Sequence, residues 1–321
     1  MEKSCSVELI KGKKDYIVTI AIGDKYLSDW KQFASPFWIS YCKKYELGLI
    51  VIYKNMIKSS DFAWKKATWQ KFLIGAYARK YYPHIERVCY LDTDILISPL
   101  APNVFYFHQN GCMSLVSLFH RLPYSRATTI EKLTWLRNQS SKGRYPLDSA
   151  IYMGIKDLFS YHGLSPQKDF ACAGMFIMDV SIHSETMHQF FLTVDSSVDT
   201  ITNGGDQTHF NFLVQSSFEI KWLSYKFQSI WSYEAANYYP SVFFDRYSDH
   251  TYLSIQNALI NNYFLHFAGS WSECQQWKDP KVLQENIVLG NISNLTEYQN
   301  KALKSGKPVG HIKFLNGIGQ E

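Results

Sequence analysis

The chain has 321 residues, 46% of them hydrophobic and 19% charged, a balance that describes a folded globular protein with room for one large domain or two smaller ones. Its net charge of +5 is carried by scattered Lys and Arg rather than a repeating basic face, which implies no nucleic-acid partner and suits small anionic substrates. Six cysteines, at positions 5, 42, 89, 112, 172 and 274, make no C-x-x-C pair and no regular spacing, so they read as reduced, buried thiols and not as a zinc ribbon or a disulfide framework.

The first twenty residues lack the order of a signal peptide, and no apolar run approaches a membrane span, so a soluble, cytoplasmic protein is expected. "KDYIVTIAIG" is a β-branched run ending at Gly23, and "DKYLSDWKQFASPFWISYCKKYE" follows with apolar residues at helical spacing and Pro36 as a kink. "GLIVIYK" is a second short strand. Residues 64–82 predict a second helix, with Trp69, Phe72, Leu73, Ala76 and Tyr77 on one side and Pro83 as its stop. "RVCYLDTDILI" is a third strand. Strands alternating with helices predict an α/β fold with a largely parallel sheet, whose ligands bind beyond the carboxyl ends of the strands.

Residues 108–169 break this rhythm with a polar, proline-containing stretch and one helix, and are expected to form an insertion or lid. "DFACAGMFIMDV" returns to a strand, "SETMHQFFLTV" is helical, and "NGGDQTHFNFLVQ" places a glycine turn before another helix. Short apolar pieces then lead to "NYFLHFAGSW". The expected division is a catalytic domain over 1–270 and a polar extension over 271–321. The Lys-punctuated tail, with Lys301, Lys304, Lys307 and Lys313, reads as a solvated extension, with weak peripheral membrane contact as the alternative.

Asp92 and Asp94 interrupt an otherwise buried apolar run. Capping a following turn is the ordinary use of such residues; acid/base work and metal binding are the alternatives. Half-buried carboxylates at a strand end call for a compensating cation, because unpaired buried charge costs several kcal/mol, about 3–5 for a broken buried pair. Two residues apart in extended chain they point to one side and can reach one ion. Oxygen ligands select Mg²⁺ or Mn²⁺, of which Mn²⁺ also takes imidazole, and such ions commonly bridge to phosphate.

"YLDTDILI", preceded by "ATWQKFLIGAYARKYYP", resembles the D-x-D signature of GT-A glycosyltransferases. "VTIAIGDKYL", "FACAGMFIMDV", "GGDQTHFN" and "LHFAGSW" are similar, in the same order, to motifs of the retaining family that includes glycogenin and the lipopolysaccharide galactosyltransferases; together they span residues 18–271. The resemblance implies a single Rossmann-like GT-A domain with a mixed, mainly parallel sheet flanked by helices. It also implies a nucleotide-diphosphate sugar as donor, with a UDP-sugar as one candidate, a hydroxyl acceptor on a glycan or glycoconjugate, and Mn²⁺ or Mg²⁺ as cofactor. Asp92, Asp94 and His266 would bind the metal, with Asp92 also near the ribose; Ala21, Asp24 and Tyr26 would meet the base, and Lys71 the donor's phosphate or sugar. Asp206 would bind sugar hydroxyls, and Gln207 would lie beside the anomeric centre.

Each residue also has a plainer reading: a core histidine for His266, helix packing for Tyr26, a surface lysine for Lys71, an N-cap for Asp206. The family's Asn before A-G is Cys172 in this chain, and its diphosphate-binding Lys is Ser272, with Lys278, Arg121, Arg126 or Lys142 as replacements. A nucleotidyltransferase acting on a sugar phosphate and a catalytically silent carbohydrate-binding relative are the alternatives. The first normally carries a Gly-rich basic loop that "AIGDKY" is not, and no Walker A, H-E-x-x-H or G-x-S-x-G motif occurs.

Overall fold

The strands β1 (Ser6–Ile10), β2 (Asp15–Ile20), β3 (Gly48–Ile52), β4 (Arg87–Leu91), β6 (Met113–Ser117), β7 (Ala171–Asp179) and β8 (Ile220–Trp222) form one sheet in the order β1-β3-β2-β4-β7-β6-β8. β2 pairs in parallel with both β3 and β4, and β6 with β8; β1 and β7 run against their neighbours. Five of the seven strands therefore point the same way, the largely parallel arrangement that the alternating strand and helix patterns predict, and the sheet is mixed, as the resemblance implies. A second sheet, order β5-β10-β9, is built from β5 (Ile95–Ile97), β9 (Ser229–Ile230) and β10 (Phe264–His266). The computed structural model describes residues 1, 3–141, 152–195, 206–245 and 248–279. All of these lie in one unit, Met1–Val282; the second unit, Leu283–Glu321, lies outside them together with the basic tail, Lys142 and the glycines at 204 and 205.

The helices are α1 (Asp24–Asp29), α2 (Ser35–Tyr45), α3 (Ile74–Tyr81), α4 (Arg126–Ser141), α5 (Ile155–Tyr161), α6 (Val180–Thr193), α7 (Gln207–Ser217), α8 (Trp231–Tyr238) and α9 (Asp249–Asn261). The helix expected after β2 is not one rod: α1 passes through a π-helical stretch, Trp30–Ala34, and restarts as α2 with Pro36 in its first turn, where a missing N–H is tolerated. The helix expected from residue 64 begins later, as a 3₁₀ segment Ala67–Leu73 leading into α3. Its upstream boundary has a local cause, since the Gln70 side chain takes the Lys65 carbonyl (3.3 Å) and the Met56 N–H (2.7 Å).

One face of the main sheet packs Tyr16, Val18, Val88, Tyr90, Phe176 and Met178 against Phe72 and Tyr77 of the preceding segment and α3, Met187 and Phe191 of α6, and Phe210 and Val214 of α7. The alternate residues Ile17, Cys89 and Ile177, in register across β2, β4 and β7, are buried on the opposite face. All six cysteines are free and buried, as the spacing predicts. Within residues 108–169 the polar composition concealed β6, a fully buried strand of the main sheet; α4 and α5 follow it. The carboxyl ends of β2 and β4, the strand crossing to β5 and the end of β10 converge on one place, and the candidate site lies there.

Candidate active site

The apolar run around the two aspartates is two strands, not one. β4 ends at Leu91 in the main sheet, β5 starts at Ile95 in the small sheet, and Asp92, Thr93 and Asp94 make the corner between them. Both ends of the corner are pinned by backbone bonds: Asp92 N–H donates to the Gly174 carbonyl (2.8 Å), and Phe267 N–H donates to the Asp94 carbonyl (3.0 Å). β10, antiparallel to β5, pairs His266 with Ile95 and so carries the imidazole to the carboxylates. His266 Nε2 lies 3.2 Å from Asp94 Oδ1 and 3.8 Å from Asp92 Oδ2. Among the described residues, these three form the group able to hold a metal ion, with one ligand atom from each, all within 4.8 Å of one another.

Electrostatics follow from this packing. Burial alone would raise the Asp94 carboxyl, but attraction to His266, the hydrogen bond between them and the more distant Lys278 hold it below its ordinary range. Burial would lower His266, yet Asp94 outweighs it and pushes the imidazole well above its ordinary value. On the other side of the ring sits Gln228, which the sequence gave no reason to choose. In the amide orientation that satisfies its neighbours, its Oε1 accepts from His266 Nδ1–H (3.3 Å) and Met175 N–H (2.9 Å), while its Nε2 donates to the Cys172 carbonyl (3.2 Å). This aims His266 Nε2 at the carboxylates. Cys172 Sγ lies 3.6 Å from the same Nδ1, so the departure from Asn at this position touches the histidine.

Gly174 is required by the close approach: a Cβ there would sit 2.4 Å from His266 Cε1 and 2.6 Å from Asp92 Oδ2. Two carboxylates and an oriented imidazole nitrogen, brought together over a glycine, fit a divalent cation that accepts both oxygen and imidazole ligands.

Lys71 is not a surface lysine. It is 3% exposed, and its Nζ lies 3.1 Å from Asp206 Oδ2 and 3.9 Å from Asp92 Oδ1, donates to the Ala173 carbonyl (3.0 Å) and stands over the Tyr90 ring. Burial opposes its charge, but Asp206 and then Asp92 prevail and raise its pKa, so it is a fixed cation. Tyr90 donates its hydroxyl to Asp92. Asp206 occupies the position before α7 but makes no side-chain capping bond; its carboxylate faces Lys71 instead. Gln207, partly exposed, opens α7.

On the solvent side is a cleft of about 320 Å³ lined by Tyr26, Asp29, Thr93, Asp94, Trp277 and Lys278, among others. Tyr26, 63% exposed, is not spent on helix packing. Lys278 reaches the cleft while paired to Asp29 at 2.7 Å. Arg121 and Arg126 are engaged elsewhere, over the rings of Trp222 and Phe119. The stretch bearing Trp277 and Lys278 is fastened by the buried pair Arg137–Glu273 (2.8 Å), with Arg137 also over Trp271. Asp24 begins α1 at the surface, next in the chain to Lys25 and Tyr26 of this lining, and Ala21 is fully buried with its N–H given to the Ile52 carbonyl (2.7 Å).

His209, two residues after Gln207, is buried between the rings of Trp69 and His162, and its Nδ1 has no hydrogen-bond partner among the described residues. Burial pushes it down to about 4, with His162 adding to the effect. A depressed folded pKa stabilises above the ordinary value near 6.5 and is lost as pH falls toward 4, so this group should contribute up to about 3 kcal/mol of acid sensitivity. Urea midpoints measured from pH 7 to pH 4 should fall less steeply for His209→Gln than for the parent chain; equal slopes would remove this assignment.

Fold and site together define an α/β protein with a carboxylate–imidazole group able to hold a cation at the carboxyl end of a parallel strand, beside an open aromatic cleft. No family model matches the chain, and no curated protein matches it. Among solved structures it is similar to the galactosyltransferase LgtC in complex with donor and acceptor sugar analogues (14% identity over 82% of this chain and 92% of that one, TM-score 0.48). It is also similar to a glycosyltransferase that acts in glycosylation of the major capsid of PBCV-1 (10%, 82% and 98%, 0.43) and to the glycosyltransferase GlyE of Streptococcus pneumoniae TIGR4 (13%, 90% and 65%, 0.42). At these values the likeness assigns no residue a role, and the functional reading rests on the site.

Proposed function

We propose that this chain is a metal-dependent glycosyltransferase of the GT-A type that moves a sugar from a nucleotide-diphosphate sugar to a hydroxyl acceptor with retention of configuration. The observation that carries this reading is the Asp92–Asp94–His266 group, gathered within 4.8 Å, with Asp94 lining the cleft. These three side chains would hold Mn²⁺ or Mg²⁺, which when bound supplies Lewis-acid neutralisation of the leaving diphosphate.

The remaining roles belong to the chain's own residues. Tyr26 offers a ring on which a planar base gains about 1–3 kcal/mol, and Lys278 puts a cation where the missing Lys at Ser272 leaves none. The Lys71–Asp206 pair fixes a carboxylate for sugar hydroxyls, and Gln207 stabilises the oxocarbenium-like centre. In the transfer, the bond from anomeric carbon to phosphate oxygen breaks and a bond to the acceptor oxygen forms on the same face, while the acceptor proton passes to the departing phosphate oxygen. In this reading the catalytic domain covers residues 1–270, with an insertion or lid within 108–169, and the polar extension covers 271–321.

The test is hydrolysis and binding of a panel of UDP-, GDP- and ADP-sugars with and without Mn²⁺. Metal-dependent release of nucleoside diphosphate is expected, and absence of any nucleotide-sugar binding in either condition would falsify the proposal. Release of pyrophosphate from a nucleoside triphosphate and a sugar phosphate would instead favour a nucleotidyltransferase.

Because Gln228 sets the direction of the imidazole, Gln228→Leu should lower Mn²⁺ affinity by roughly 10- to 100-fold, the range for a lost outer hydrogen bond to a ligand histidine. Titration calorimetry of the purified chain with Mn²⁺ alone measures this, and an unchanged affinity would show that Gln228 does not orient His266.

A further inference from the structure

A second cavity, of about 760 Å³, opens between β8, the segment after it, α8 and the end of α9, and shares no lining residue with the cleft or the cation group. Its walls hold the aromatic residues Trp222, Tyr238 and Tyr239; its polar groups include Glu234, Asn261 and Asn262. Tyr238 is 56% exposed, an aromatic face left to water at the mouth. Glu234, by contrast, is 5% exposed and built in. One carboxylate oxygen accepts from Asn262 Nδ2 (3.1 Å) and the other from the Tyr124 hydroxyl (3.4 Å), while Asn262 Oδ1 accepts from the Ser229 hydroxyl (2.5 Å). The Asn262 amide is further tied to the Ala258 carbonyl (3.0 Å).

We infer that this cavity is a second saccharide-binding site, separate from the candidate active site. The chemistry is that of a polyhydroxylated ring. The exposed ring of Tyr238 accepts the apolar C–H face of a sugar, while the buried Glu234 carboxylate, whose orientation is already fixed by Asn262 and Tyr124, accepts from its hydroxyls at little ordering cost, and the exposed Asn261 amide adds a polar group at the rim. Arg121 and Lys226 also reach the rim, but the buried carboxylate of Glu234 opposes an anion at the floor, so the preferred ligand is a neutral oligosaccharide. An apolar ligand would leave the carboxylate and amides without new partners.

The experiment is titration calorimetry of the full chain, in EDTA and without nucleotide, against maltotetraose, chitotetraose and cellotetraose, with trigalacturonate and inorganic phosphate as anionic controls. Saturable binding of at least one neutral tetrasaccharide is expected, weakened about tenfold or more by Tyr238→Ala and by Trp222→Ala, and retained in Asp94→Asn. The exposed Tyr238 serves as the variant least exposed to a folding defect. The inference is overturned if no neutral tetrasaccharide binds, if only the anionic probes bind, or if binding survives both aromatic substitutions. Since donor and metal are absent throughout, the outcome is independent of whether the chain hydrolyses nucleotide sugars.

Discussion

Asp94→Asn should lose Mn²⁺-dependent turnover of a nucleotide sugar and weaken Mn²⁺ binding by more than about 100-fold, because removing a charged ligand exceeds the roughly 10- to 100-fold loss of an outer partner. The substitution is nearly isosteric, and the corner's backbone bonds to Gly174 and Phe267 do not involve the carboxylate, so the far-ultraviolet circular dichroism should be preserved, while the urea midpoint should fall because the buried imidazole loses its charge partner. Asp94 is also the residue His266 approaches most closely, at 3.2 Å. Its loss therefore removes both a ligand and the electrostatic hold on the imidazole, and metal-free crystallography or NMR of the variant should find His266 with a lower pKa. Full Mn²⁺ affinity in Asp94→Asn would remove this residue from the ligand set.

The second large effect is on stability. Lys71→Met leaves the Asp206 carboxylate buried with its nearest cation gone, and breaking such a pair from one side costs about 3–5 kcal/mol. The double variant Lys71→Met with Asp206→Asn removes both charges and should recover most of that loss, since a neutral pair avoids the desolvation that one isolated ion suffers. Urea unfolding of the four proteins in the cycle gives the coupling directly. A coupling below about 0.5 kcal/mol, the additive limit for independent sites, would mean that the pair is not a structural unit. The double variant should fold yet fail in sugar transfer, which separates the pair's contribution to stability from its contribution to the donor site.

Sequence alone reached Asp92, Asp94 and His266, the three residues that the fold gathers within 4.8 Å, because a D-x-D after an apolar run and a histidine in a degenerate motif are visible as residue types. Gln228 was not visible: in "YKFQSIW" it is one polar residue among aromatics, and only β9 lying parallel to β10 sets its amide against His266. Lys71 was chosen as a residue but not as a buried one, because the 3₁₀ segment carrying it shifts the exposed side relative to an α-helix. β6 was hidden for a different reason: "MSLVS" is buried on both faces and so has no alternation to detect beside polar sequence. β1 was missed because Val7 and Leu9 point outward at the sheet edge, which inverts the pattern expected of a strand. The apolar run through the two aspartates read as one strand because sequence does not reveal that its halves join different sheets.

That division between sheets also sets when the site can exist during synthesis. β5 has no partner until β10 arrives late in the chain, and β10 brings the imidazole with it. The cation group is thus assembled by contacts of very high contact order, among the last that a growing chain can make. A nascent chain halted before Phe264 holds both aspartates but neither the strand that pairs with β5 nor the imidazole, so the group is complete only when nearly all of the folded unit has emerged.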